Sequence, residues 1–208
     1  MGCRNVSYDI DVSYPQILAT PYTETKNIQK INQQIKDTTT KLYQWPLSRA
    51  EQMRHLQANG VGDTVNFTYQ ISLATDSFLS IHYIGYSYDG AKATQVQDSF
   101  AVNYDLTSGK VLKLSDLFKP GSEYMERISR YSIDALSINK RTINAAALKP
   151  TAGTFDVWQI RNQGISFNFP TCRVAACSDG ELVVQIPYEE LKPLLNPDIP
   201  GKFNITYP

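Results

Sequence analysis

The sequence predicts an α+β fold: antiparallel meander sheets with helices packed on one face, in two halves of similar size, residues 1–94 and 95–208. Three observations carry this. Between Thr64 and Leu114, alternating segments follow one another with only short turn signals between them, the pattern of consecutive hairpins. Two segments with apolar residues at three- and four-residue steps flank that stretch, one before and one after, as amphipathic helices do. A second alternating hairpin and a further strand follow near the C-terminus.

In order, Tyr8, Ile10 and Val12 alternate with Asp9, Asp11 and Ser13, which predicts a first strand over residues 5–14. Pro15 ends it or places it at a sheet edge, since proline cannot donate to a ladder. After Pro21, Thr23 or Thr25 caps a helix whose stripe is Ile28, Ile31, Ile35, Thr38 and Leu42. Trp45-Pro46 interrupts the pattern, and proline suits a first helical turn, so a second short helix is expected over residues 46–58. His55 lies there with no second ligand four residues away and reads as a surface or boundary residue.

Val65, Phe67, Tyr69 and Ile71 then share one side of a strand, with Asn66, Thr68, Gln70 and Ser72 on the other. The next strand runs over residues 78–86. Asp89-Gly90 supplies a tight turn, residues 95–104 return, and residues 107–110 turn into a strand at 111–114. A capped turn at Leu114-Ser115-Asp116-Leu117-Phe118 precedes a helix with Tyr124, Ile128, Tyr131, Ala135 and Ile138 on its apolar side. Glu123, Glu126, Arg127 and Arg130 turn to water. Residues 144–149 suggest a short helical segment. The later hairpin is residues 155–160 and 165–169, joined by 161–164. Leu182, Val184 and Ile186 share one face of the next strand, residues 188–195 form a short helix, and an extended tail begins at Pro197.

With 208 residues, 42% of them hydrophobic, the chain can fill a real core. Its 20 basic and 20 acidic residues cancel, so it lacks the electrostatic footprint of a nucleic-acid binder. No apolar run reaches the roughly 20 residues that span a bilayer. No basic-then-apolar leader opens the sequence, so the chain is either cytosolic or has lost a targeting segment. Cys172 and Cys177 flank a turn-rich loop and are expected to form a disulfide. The alternatives are two reduced structural thiols or a metal site, the latter short of ligands with only His55 and His82 elsewhere. Cys3 is a free thiol, a partner for one of the other two, or a lipid attachment point. A disulfide favours an oxidising compartment.

No nucleophile elbow, zinc-protease motif or phosphate-binding glycine loop is present. His82 alternates onto the polar side of its strand with Ser80 and reads as solvent-facing or hydrogen-bonded. Asp98, Asp105 and Asp116 offer carboxylates for glycoside chemistry, but Asp105 and Asp116 sit at turn and cap positions that favour Asp for backbone hydrogen bonding. Tyrosine is more informative. Of 13 tyrosines, Tyr83, Tyr86 and Tyr88 gather at the end of one strand beside Asp89 and Lys92. Two roles fit: an aromatic recognition surface or cross-strand cover for the sheet.

Several local signatures occur in one order: Tyr14-Pro15-Gln16-Ile17 with Ile31-Asn32, Leu79-Ser80-Ile81, Tyr86-Ser87-Tyr88-Asp89-Gly90-Ala91, Asn103-Tyr104-Asp105-Leu106 with Gly109-Lys110, Leu114-Ser115-Asp116-Leu117-Phe118, Gly164-Ile165-Ser166-Phe167, and Ile186-Pro187-Tyr188-Glu189-Glu190-Leu191. Over nearly the whole chain this order resembles the tandem envelope domains of unknown function found in the extracellular region of lysozyme-sensing anti-sigma-V factors and appended to some peptidoglycan deacetylases. The resemblance implies an α+β fold and an exported, periplasmic or extracellular address. It also implies binding rather than catalysis, because the deacetylase motifs lie in a separate domain. Where that family commonly has Gly-Gly-Ala-His, this chain has Asp89-Gly90-Ala91-Lys92, so no role of that histidine carries over.

The resulting expectation is a non-catalytic cell-envelope module without cofactor or metal, recognising a protein such as lysozyme or a peptidoglycan glycan. Tyr83, Tyr86, Tyr88, Asp89 and Lys92 are its expected contact residues. The alternative is a glycan-directed hydrolase or an accessory domain of a peptidoglycan-modifying enzyme.

Overall fold

The first strand, β1 (Asp9–Val12), lies parallel to β2 (Thr64–Ala74), pairing Asp9 with Thr64 through Val12 with Phe67. It is an edge strand, and Pro15 follows it. These elements belong to a computed structural model that describes residues 9–18, 25–54, 64–89, 94–138 and 142–199. Strands β3 (Phe78–Asp89), β4 (Thr94–Asp105) and β5 (Lys110–Val111) complete a five-stranded sheet in the order β1-β2-β3-β4-β5. A meander is therefore present where the alternation places it. The parallel β1–β2 pair departs from the all-antiparallel expectation, because the helix between the two strands supplies the crossover that a parallel pair requires.

That helix, α1 (Thr25–Arg54), is continuous through Pro46 instead of breaking into two. Proline fixes φ near the helical value, so the chain gives up one hydrogen bond and relieves one clash without ending the helix. His55 and the rest of 55–63, like Cys3, lie outside the described residues.

The chain forms two compact units. One comprises Met1–Gln70 and Tyr83–Ser99, the other Ile71–His82 and Phe100–Pro208. The boundary expected at 94/95 falls within β4. In the first unit, Ile28, Ile31 and Ile35 of α1 are buried, as the stripe predicts. Thr39, a turn further on, is also buried, and its Oγ1 lies 3.3 Å from the Tyr83 hydroxyl on β3. Phe67 of β2 stacks on Tyr83 with ring centroids 5.6 Å apart. Asn32 holds the segment after β1 in place: its side chain accepts from Ile17 N–H and donates to Ile17 C=O, both at 2.8 Å. The Tyr14-Pro15-Gln16-Ile17 and Ile31-Asn32 signatures thus meet in one clamp.

The second unit is built on β6 (Trp158–Arg161), β7 (Gly164–Phe169) and β8 (Leu182–Pro187), antiparallel throughout. Arg161 pairs with Gly164, leaving Asn162 and Gln163 as a two-residue turn. Phe155 meets Phe167 and Phe169 edge-on, and Leu182, Val184 and Ile186 face the same core, with Val183 and Gln185 exposed. The expected strand at 111–114 is shorter. β5 ends at Val111, and Leu114–Leu117 forms a 3-10 turn whose Asp116 carboxylate accepts the Lys113 N–H at 2.8 Å. A further 3-10 turn spans Ala145–Leu148, and α3 is Tyr188–Leu191.

Helix α2 (Tyr124–Ser137) packs the expected stripe inward at Ile128, with Tyr124, Tyr131 and Ala135 partly buried against the core, and departs from it at the end. Its buried residues are Ile128, Ser129, Ser132 and Leu136, whereas Ile138, expected in the apolar stripe, is 78% exposed. Serines face inward because the helix lies close to its neighbours: Ser129 Oγ donates to the Leu148 carbonyl. Small side chains permit that approach, and Tyr131 and Ala135 pack against the core while remaining partly exposed.

Candidate functional site

Three places could carry function, and the expected tyrosine cluster is the first. Tyr83 is 0% exposed, locked between Phe67 and Thr39. It is a core residue of the first unit, and its assignment as a contact residue is corrected on that ground. Tyr86, three residues on, is half-buried. Tyr88 and Asp89 occupy the last two positions of β3, and Lys92 lies outside the described residues.

The second place is a buried polar seam in the second unit. β6 pairs with β7 along one edge only, and the side chains of Ser80 and Asn103 satisfy its other edge. Asn103 Nδ2 donates to the Trp158 carbonyl at 2.9 Å. The Ile160 N–H is shared between Ser80 Oγ and Asn103 Oδ1, both at 3.2 Å. Ser80 Oγ donates to Asn103 Oδ1 at 2.6 Å. Alongside, Gln159 Nε2 donates to Asn168 Oδ1, while Gln159 Oε1 accepts from Ser72 and Arg161. A strand edge is thereby closed by side chains instead of by another strand, which removes unpaired backbone groups from the interior.

This seam changes the reading of His82. The polar side of β3 is covered, so His82 is buried and not solvent-facing. Burial pushes its pKa below the ordinary value; the nearby Glu181 carboxylate opposes that shift and the Arg161 guanidinium adds to it. Two of the three candidate glycosidase carboxylates are structural. Asp105 Oδ1 accepts the Thr107 and Ser108 N–H groups in the turn after β4, and Asp116 closes its own 3-10 turn.

The third place is an open groove of about 290 Å³ on the outer side of α2, lined by Arg127, Arg130, Tyr131, Asp134, Ala135, Ile138 and Glu190. Arg127 is held by α3: its Nη2 pairs with the Glu190 carboxylate and its Nε approaches the Glu190 carbonyl. Arg130 and Asp134 make no hydrogen bond or ion pair with another described residue, and both are exposed. Sequence reasoning missed this groove because Tyr131 and Ala135 pack against the core and line the groove at once, and a helical stripe does not show which of its residues stay partly open.

The Cys172–Cys177 disulfide is formed, with Cα atoms 4.2 Å apart. Both cysteines are exposed, while Val174 between them is buried and its carbonyl accepts the Asn144 N–H. Among the described residues, no three His, Cys, Asp or Glu side chains are grouped to hold a metal, and no helix is long and apolar enough to cross a membrane.

Comparison with known proteins finds a match within part of the second unit. Residues 115–189 match the family described as protein of unknown function (DUF3298). Over 137 residues, covering 63% of this chain, the sequence is 29% identical to the peptidoglycan-N-acetylmuramic acid deacetylase PdaC of Bacillus subtilis. The match spans only 29% of that enzyme's length. The fold is shared with crystal structures of two DUF3298 family proteins. That from Pseudomonas aeruginosa PAO1 aligns at a TM-score of 0.60 and 16% identity, covering 85% of this chain and 83% of the other. That from Bacteroides fragilis aligns at 0.57 and 18%, covering 88% and 74%.

Proposed function

We propose that this protein is a non-catalytic binding module of the cell envelope, holding a peptidoglycan glycan or an envelope protein such as lysozyme. The observation that carries the reading is the partial match to a peptidoglycan deacetylase: most of this chain corresponds to less than a third of that enzyme. Such a relation fits an accessory module shared between proteins, in which the chemistry belongs to the remainder. A periplasmic or extracellular address follows from the same relation and from the disulfide, which persists in oxidising compartments. The resemblance to the extracellular domains of lysozyme-sensing anti-sigma-V factors points the same way. On this reading Tyr86, Tyr88 and Asp89, at the end of β3, and Lys92, shortly after it in sequence, contribute contacts.

The test is co-sedimentation of the purified chain with insoluble peptidoglycan, with immobilised lysozyme as a second arm. Saturable retention in either arm is the expected result; retention in neither rejects the reading. Tyr86→Ala and Tyr88→Ala, folded like the parent, should weaken whichever interaction is found by roughly 2 kcal/mol at a true anchor. Lys92→Ala should act mainly on the association rate and its salt dependence.

A further inference from the structure

We infer that the groove on α2 is a saccharide subsite for a neutral N-acetylated hexosamine within a glycan strand; this rests on the envelope-binding reading and gives it a second, defined contact surface. The charge balance points to this ligand class. Two guanidinium groups, Arg127 and Arg130, face two carboxylates, Asp134 and Glu190. A groove with equal numbers of strong donors and strong acceptors suits a ligand carrying many hydroxyls and no net charge. It discriminates against a polyanion or a polycation, which would meet like charge at half of its contacts.

The two pairs differ in their availability. Glu190 engages Arg127 and fixes it against α3. Arg130 and Asp134, one helical turn apart, remain to donate to and accept from hydroxyl and amide groups. Tyr131, half-buried against the core and thus held in place, lines the same groove and supplies aromatic surface for the C–H face of a sugar. Ala135 and Ile138 continue the apolar strip, and Ile138 is 78% exposed. An acetamide methyl is the small apolar group that would cover such a strip beside a polar ring.

Size agrees with this assignment. At about 290 Å³ the groove is just below the roughly 300–1,000 Å³ of small-molecule sites, room for a single ring rather than for an embedded peptide. Tyr131 and Ala135 pack against the core and also line the groove, while Ile138 beside them is exposed.

The experiment is titration of the chain with the tetramer of β-1,4-linked N-acetylglucosamine, followed by amide chemical shifts and calorimetry, with the peptidoglycan co-sedimentation run in parallel. Arg130→Ala and Asp134→Asn change exposed groups and should leave the melting temperature unchanged while weakening tetramer binding at least tenfold. Ile138→Asp serves as a second disruption at an exposed site, and Tyr131→Ala is interpreted only where its melting temperature is preserved. Shifts confined to α2 and α3, lost in these variants, support the subsite. Tetramer binding that the variants leave intact overturns it, as does peptidoglycan retention without tetramer binding; in both cases the envelope-binding reading survives. Lysozyme retention abolished by the same variants, without tetramer binding, reassigns the groove to a protein partner. Retention on neither peptidoglycan nor lysozyme, with no tetramer binding, rejects the subsite and the envelope reading together.

Discussion

Gly164 opens β7 directly opposite Pro187, and a Cβ built there would lie 2.1 Å from the Ile186 carbonyl oxygen. No flexible side-chain end can yield at that position; backbone must move. Gly164→Ala should therefore cost about 3 kcal/mol by overpacking, read as a lower urea midpoint with little change in slope. An unchanged midpoint would show that β8 shifts freely. His82 gives a pH prediction with a definite sign. Its folded pKa lies below its unfolded value near 6.5 because burial disfavours the imidazolium, Arg161 adds to that effect and Glu181 partly offsets it. The unfolded chain consequently binds the proton more readily. The contribution of His82 is fully present above about pH 6.5 and is lost as pH falls through that value toward the folded pKa. Urea unfolding between pH 7.5 and 5.5 should show a shallower decline for His82→Gln than for the parent, and equal slopes would contradict the assignment. That His82 and Tyr83 are both buried was illegible in the sequence. Alternation reveals that β3 has two faces that differ, but not that each is covered within its own unit, one by Phe67 and Thr39 and the other beside the β6 seam.

At the level of elements, legibility followed the strength of the local signal. The strands from Thr64 to Asp105 and the β6–β7 hairpin carry alternation and turn residues together, and they stand where those signals put them. Helix α1 was misjudged at Pro46, since a propensity cannot tell whether tertiary packing carries a helix past one missing hydrogen bond. Its buried stripe was nevertheless correct. Ile31→Asp would bury an unpaired charge at a residue only 1% exposed. That cost rivals the ~5–15 kcal/mol of a whole domain, so this variant should lose its cooperative transition. A soluble variant melting like the parent would place that face in water. The α2 groove was illegible for a simpler reason: Tyr131 and Ala135 have the helical spacing of core residues and do pack against the core, so spacing alone does not reveal that they also line an open groove. The disulfide loop offers an independent test. Closing so short a loop should stabilise by about 2 kcal/mol, so reduction should lower stability by that amount. In the folded, unreduced protein Cys172 and Cys177 should both resist alkylation, and modification of either would contradict the bridge.

For the whole molecule, the central claim is that the chain binds envelope material without transforming it. Two of the three carboxylates that might have argued otherwise, Asp105 and Asp116, are committed to backbone N–H groups of their own turns. Arg130 and Asp134, exposed and without a side-chain partner among the described residues, line an open groove together with Tyr131. The most direct measurement is a single incubation of the purified chain with peptidoglycan, recording both the bound fraction and any release of reducing ends or acetate. Saturable binding with release no greater than in a protein-free control is the predicted result; release that grows in proportion to protein concentration would contradict the account and establish an enzyme acting on the glycan.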